Sequence, residues 1–304
     1  NLVYAINFTA ASWRNDASIC SDNAMYRVLS GIRVNVQDTY TNSANAMMRG
    51  ASITGNVMLI DPDFWASVLQ RTAYGIYLVW SSAKSIEGIV IANNVIEYNV
   101  YSGSNSTIAT LASAGIIYNR SSGSTTPVDR NVVITGNSIR GSIGPGIAFS
   151  AGAITGLVVN ANQIMDCGHA TVAGVSASYT AGILVSSTIL INAKFSDNNI
   201  IDTRSNGAMQ YGIYWLASSS SSDCEITDNN VVLSNTTTAL SLSIGTTNTG
   251  APYIRHRAKS GTATTRNTVL GSSGRVVAYG SEWIDVAAGS TTKETAAPSG
   301  ATWA

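Results

Sequence analysis

Ile134-Thr135-Gly136-Asn137, with Ile139 two residues on, decides the fold because it returns. The same phrase is written Ile53-Thr54-Gly55-Asn56, Ile91-Ala92-Asn93-Asn94, Val159-Asn160-Ala161-Asn162, Phe195-Ser196-Asp197-Asn198 and Ile226-Thr227-Asp228-Asn229. A second phrase alternates with it: Tyr74-Gly75-Ile76, Ala114-Gly115-Ile116, Gly146-Ile147, Ala181-Gly182-Ile183 and Tyr211-Gly212-Ile213. Thr238-Ala239-Leu240-Ser241-Leu242 is a degenerate sixth copy. Two strand phrases repeated every few dozen residues mark a stack of repeats rather than a chain of separate domains.

Around each Asn the pattern is that of strands and a bend. The residues three before it (Ile53, Ile91, Ile134, Val159, Phe195, Ile226) and two after it (Met58, Ile96, Ile139, Ile164, Ile200, Val231) are apolar and point inward. Gly55, Asn93, Gly136, Asp197 and Asp228 sit between them, and these types tolerate the left-handed backbone of a tight bend. An Asn returning at one bend can bond the backbone of the next repeat and the same Asn above it, forming a ladder. Successive ladder positions lie 38, 43, 25, 36 and 31 residues apart. A bare turn of such a stack needs roughly 20 residues or a little more, so the surplus lies in loops between fixed strands. The expected fold is all-β, a right-handed parallel β-helix whose strands stack about 4.8 Å apart. Its expected extent is residues 26–245, after an irregular or truncated start at 1–25 and before a β-rich cap at 246–304.

Composition narrows the function classes. The 304 residues carry no formal net charge and only 11% are charged, with no basic run to meet nucleic acid. No apolar run approaches the roughly 20 residues that span a bilayer, which predicts no membrane insertion. The sequence starts at Asn1 with no signal-peptide pattern, and reads as a shortened or processed chain. Cys20, Cys167 and Cys224 suggest no disulfide framework, and Cys224 falls on an inward position. No zinc pattern, phosphate loop or nucleophile elbow occurs, and no acidic cluster has calcium-ligand spacing, so no metal or cofactor is expected.

Outward positions are readable from the same register. Lys194 and Glu225 fall one repeat apart and should pair on the surface. Tyr77, Ile117, Ala148, Leu184 and Tyr214 form an outward apolar stripe, which needs covering by sister copies, by the chain's own loops, or by sugars stacked on Tyr77 and Tyr214. Packing against sister copies is the preferred account.

The turns Ile134-Thr135-Gly136-Asn137, Ser196-Asp197-Asn198-Asn199 and Thr227-Asp228-Asn229-Asn230, each followed by a Gly-Ile strand, make residues 26–245 resemble the pectate-lyase-like β-helix superfamily. The apolar outward strands, the Ser/Thr/Asn/Gly-rich body and the Gly/Ser/Thr-punctuated end look most like its bacteriophage tailspikes, or capsule depolymerases. That resemblance implies a homotrimer on the virion or outside the cell, acting on a bacterial capsule or O-antigen polysaccharide. It also implies a virion-binding domain ahead of residue 1 that this sequence lacks. It transfers no catalytic residue, since the family shares no single linear signature.

Candidates therefore come from columns. Glycoside hydrolysis usually needs two carboxylates flanking one bond. Four residues after the ladder Asn, Asp166 and Asp202 occupy adjacent repeats, and one position earlier lie Glu97 and Arg140. His169 and Arg204 follow the two aspartates. Asp166, Asp202 and Glu97 are the catalytic candidates. Arg140, His169, Arg204 and Trp65 are the substrate-binding ones, Trp65 as an aromatic on the loop opened by Asp61-Pro62-Asp63. Trp80 and Trp215 are expected in the core. Each aspartate has an ordinary alternative role, opening a turn by bonding nearby backbone. Two other functions share the fold: a polysaccharide lyase or epimerase using Arg140, Arg204 and His169 without metal, and a glycan-binding adhesin with no chemistry.

Overall fold

A computed structural model describes residues 5–10, 15–16, 18–36, 47–61, 73–80, 85–99, 113–120, 128–168, 180–204, 209–216, 221, 223–233, 240–244, 253–260, 268–270, 277–278 and 302–303. The chain is all-β over these residues. Their strands form two sheets, of 13 and 16 strands, and every pairing within them is parallel.

The register reproduces the repeat. Ile53, Ile91, Ile134, Val159, Phe195 and Ile226 are successive Cα partners, and so are Met58, Ile96, Ile139, Ile164, Ile200 and Val231. All twelve are buried at 1% exposure or less. Complete burial of such a side chain stabilises by roughly 1.5–3 kcal/mol, so these two columns are the main cohesive element of the larger sheet. The Gly-Ile strands build the smaller sheet, where Ile32, Ile76, Ile116, Ile147, Ile183 and Ile213 align. Their glycines are there for space. A Cβ on Gly115 would overlap Ile139 Cγ2 and stand 2.7 Å from the Gly146 carbonyl oxygen, and Gly75, Gly146 and Gly182 meet the equivalent Ile in the same way.

The Asn ladder is continuous. Each side-chain Oδ1 accepts from both the backbone N and Nδ2 of the preceding Asn: Asn56 to Asn94 at 3.1 and 2.9 Å, and the same through Asn137, Asn162, Asn198 and Asn229. It also begins earlier than the six quoted phrases, because Asn23 Nδ2 donates to Asn56 Oδ1 at 2.8 Å. Cys20-Ser21-Asp22-Asn23 is a seventh copy with Cys in the aliphatic slot, and Cys20 is the Cα partner of Ile53. Parallel pairing with the following copy thus already includes Ile19–Ser21 and the start of Ala24–Val28, ahead of residue 26. The bends are left-handed as expected at Asn93, Asp197 and Asp228 (φ 55, 56 and 56°) and at Gly55 and Gly136. Ala161 adopts φ 52° as well, although a Cβ disfavours that region; ladder bonds on both sides hold it there.

Spacing follows from insertions. Between Asn137 and Asn162 the nine residues Ile147–Thr155 run as one strand, giving the shortest interval of 25. That strand pairs with both Ile116–Arg120 and Asp129–Arg130 of the preceding copy, which are separated by intervening chain. Beyond residue 245 strands continue to join the same sheets: Tyr253–Ser260 pairs with Glu225–Leu233, and Thr268–Leu270 with Leu240–Ile244. Ile254 there is the Cα partner of Ile226, but the following residues, Arg255-His256-Arg257, supply no ladder Asn.

Two expectations about packing are met. Trp215 is in the core at 1% exposure, and Lys194 Nζ lies 3.7 Å from Glu225 Oε2 across adjacent strands. The outward stripe differs from its simplest picture. Ile117, Ala148 and Leu184 are already buried within the single chain, in a second apolar cluster with Tyr74, Ala114 and Ala181. Only the ends, Tyr77 and Tyr214, are half-exposed. Trp80's side chain lies outside the described residues.

All three cysteines are free and buried. Burial raises each thiol's pKa, Cys224's to about 11. Because the thiolate is the reactive species, none of the three should react with a thiol reagent at pH 8 in the folded protein, while all three react once it is unfolded in urea. A fast stoichiometric reaction of the native chain would contradict this packing.

Candidate functional site

The strands following the ladder Asn carry an outward column three residues beyond it. Tyr26, Leu59, Glu97, Arg140 and Met165 are consecutive Cα partners on this face. Alternation along each strand sends the flanking residues inward, and Met25, Met58, Ile96, Ile139 and Ile164 fill the core. Glu97 is exposed, and the Arg140 side chain is 59% exposed. Arg140 Nε lies 3.8 Å from Asp166 Oδ2, a loose ion pair at the ends of these strands. Arg140 therefore stands between Glu97, its partner on one side, and Asp166, one residue past its partner Met165 on the other.

Asp166 has a left-handed backbone (φ 53°) and opens the turn after Gln163–Met165. Its Oδ1 accepts from Thr203 N at 2.7 Å and Thr203 Oγ1 at 2.9 Å, tying it to the next copy. Its side chain keeps 12% exposure. Asp202 occupies the equivalent place one copy on, but none of its side chain is exposed. Its Oδ1 accepts from Arg204 Nε at 2.7 Å and Arg204 N at 3.2 Å, and its Oδ2 from Met209 N at 2.8 Å. Arg204 in turn donates through Nη2 to the Cys167 and Gly168 carbonyls at 2.7 and 3.2 Å. Asp202 and Arg204 thus tie together the backbone at Cys167, Gly168, Arg204 and Met209, and Asp202 presents no open oxygen to a substrate.

Of the sequence-derived residues, Glu97 and Arg140 are neighbours in this column and Asp166 lies just past its end, beside Arg140. Asp202 and Arg204 sit beside the column, turned to the chain's own backbone. His169, Trp65 and Asp63 lie outside the described residues. Asp61 is buried, and its Oδ2 takes Arg27 Nε and Asn99 Nδ2, each at 3.3 Å. Tyr26 is the residue that sequence reasoning missed. It belongs to the column because Asn23 belongs to the ladder, so reading Cys20 as an aliphatic substitute would have found it. Among the described residues no group of three or more His, Cys, Asp or Glu side chains could hold a metal ion, and no helix is long and apolar enough to cross a membrane.

No protein-family model, no curated protein and no solved structure matches this chain.

Proposed function

We propose that this chain is a right-handed parallel β-helix of the tailspike kind, and that it binds and hydrolyses a bacterial surface polysaccharide, capsule or O-antigen. The observation that carries the reading is Arg140 in the outward column, with Glu97 as its Cα partner on one side and Asp166, one residue past Met165, on the other. Their strands lie two spacings apart, about 10 Å between backbones. Side chains reaching across that interval suit the wider separation of an inverting hydrolase, in which one carboxyl protonates the leaving oxygen while the other activates a water. Arg140 would hold the sugar hydroxyls or a sugar carboxylate between them. The site needs no metal or other cofactor in this scheme. A homotrimer, on the virion or outside the cell, accompanies the proposal through the family resemblance.

A second reading is favoured by one observation. Asp166 and Asp202 bond the backbone of neighbouring segments, which is a structural role and suits a glycan-binding protein without chemistry. Product analysis on purified capsules and O-antigens separates the readings. The wild-type chain should release new reducing ends without ultraviolet-absorbing unsaturated uronates. Glu97→Gln should lower that rate by at least about a hundredfold with folding intact. Unsaturated products would replace hydrolysis by a lyase reaction. Unchanged cleavage in both Glu97→Gln and Asp166→Asn would remove the site from this column. Binding without cleavage leaves the adhesin reading.

A further inference from the structure

We infer that Tyr26 and Arg140 are the two ends of a track for an acidic glycan laid along the stack, with Tyr26 as the platform on which one sugar ring stacks. This rests on the glycan reading above and specifies its substrate class and an aromatic subsite.

Tyr26 is among the most exposed large hydrophobic residues on the described surface, at 69%. Half-buried Leu59 stands beside it and the exposed Val57 and Val95 lie in the adjacent outward column, and a contiguous exposed apolar patch of this kind marks a contact site. Its setting is not that of a random surface residue. The strand bulges immediately after it, where Arg27 takes a left-handed backbone (φ 55°) and register shifts between Tyr26 and Val28. Bulges re-aim side chains next to functional sites. Arg27 Nε is anchored on the buried carboxylate of Asp61, which fixes the bulge.

From Tyr26 the column proceeds through Leu59 and Glu97 to Arg140. Steps of about 4.8 Å separate neighbouring strands, close to the advance of one sugar ring in an extended chain. A glycan parallel to the stack therefore meets, ring by ring, an aromatic face, an apolar surface, a carboxylate and a guanidinium. Val57 and Val95 are about 40% exposed in the adjacent outward column and give the C–H faces of such a chain an apolar floor. Charge selects among glycans. Among the described residues no ion pair ties Glu97 to this chain. Arg140's pairing with Asp166 is loose, at 3.8 Å and with most of the side chain in solvent. A planar guanidinium so placed takes a carboxylate in a two-pronged hydrogen bond, so the ring over Arg140 is a uronic or other carboxylated sugar.

The test is binding alone, by affinity electrophoresis and glycan array. The probes are polysialic acid, hyaluronan, alginate, polygalacturonate, neutral dextran, and purified acidic and neutral bacterial capsules. Wild-type chain is compared with Tyr26→Ala, Tyr26→Phe and Arg140→Gln. The expected result is retention on an acidic glycan only. Tyr26→Ala should weaken it about tenfold and Tyr26→Phe should restore it. Arg140→Gln should weaken it and flatten its salt dependence. Equal binding by wild type and Tyr26→Ala overturns the track while the glycan reading stands. Selection of a neutral glycan overturns the acidic class. If wild type retains nothing on the array, the glycan reading falls and takes this inference with it.

Discussion

Asn137→Ala should cost about 4 kcal/mol of folding stability. The amide is buried at 1% exposure and serves both directions. Its Oδ1 takes the Asn94 N and Nδ2, while its Nδ2 supplies the Ile91 carbonyl at 3.0 Å and Asn162 Oδ1 at 2.9 Å. Truncation orphans groups on both neighbouring copies, and each buried orphan costs about 1–3 kcal/mol. Asn23→Ala removes only the end of the same ladder, where the side chain is part-exposed, and should cost about 1 kcal/mol. Urea unfolding midpoints of the two variants measure the contrast. Equal, small losses would mean that the amides merely occupy their bends and do not bind the copies together.

Asp129→Asn should destabilise by about 3–5 kcal/mol, the range for leaving one member of a buried ion pair behind. Arg120 and Asp129 side chains have no exposed surface, and Arg120 Nη1 stands 3.9 Å from Asp129 Oδ2. The same carboxylate accepts Ile86 N at 2.8 Å through Oδ1 and the Tyr118 hydroxyl through Oδ2. Burial, and then the Asp129 charge, hold the Tyr118 phenol protonated well above its ordinary range, so it remains a donor at any physiological pH. Gly152, at φ 96°, lies over the arginine, and a Cβ there would come within 2.9 Å of Arg120 Cδ. Tyr118→Phe removes one donor to that carboxylate and leaves the ion pair in place, and should cost less, about 1.5–3 kcal/mol. A comparable loss for both variants would assign the stability to the hydroxyl contact instead of the charge pair.

The columns were legible in the sequence because period and register are carried by residue type. An apolar residue at each of two slots, Gly, Asn or Asp at most bends and Asn at the ladder place the twelve residues of the two inward columns on the side where they are found. Cys20 escaped because a thiol is not counted as an aliphatic, though it packs as one. The Arg120–Asp129 pair was invisible for another reason. Its partners come from strands separated by an insertion, and insertion lengths carry no phase. Asp166 and Asp202 read alike in the sequence, yet one keeps an edge to solvent and the other closes on Arg204 and Met209. That distinction lies in the Arg204 side chain and the Met209 backbone that meet Asp202, which no periodicity encodes.

The unequal spacing of the ladder has a thermodynamic corollary. Lengthening one interval from 25 to 43 residues raises the closure entropy of the added loop by only roughly 0.5 kcal/mol, while strands on either side stay clamped by amides and isoleucines. Segments between strands are therefore nearly free to be exchanged, extended or deleted without altering what lies beneath them. The outer surface can thus be rebuilt while the framework is kept, and an engineer grafting a foreign segment between Arg120 and Asp129, or between Trp80 and Ser85, exploits that tolerance.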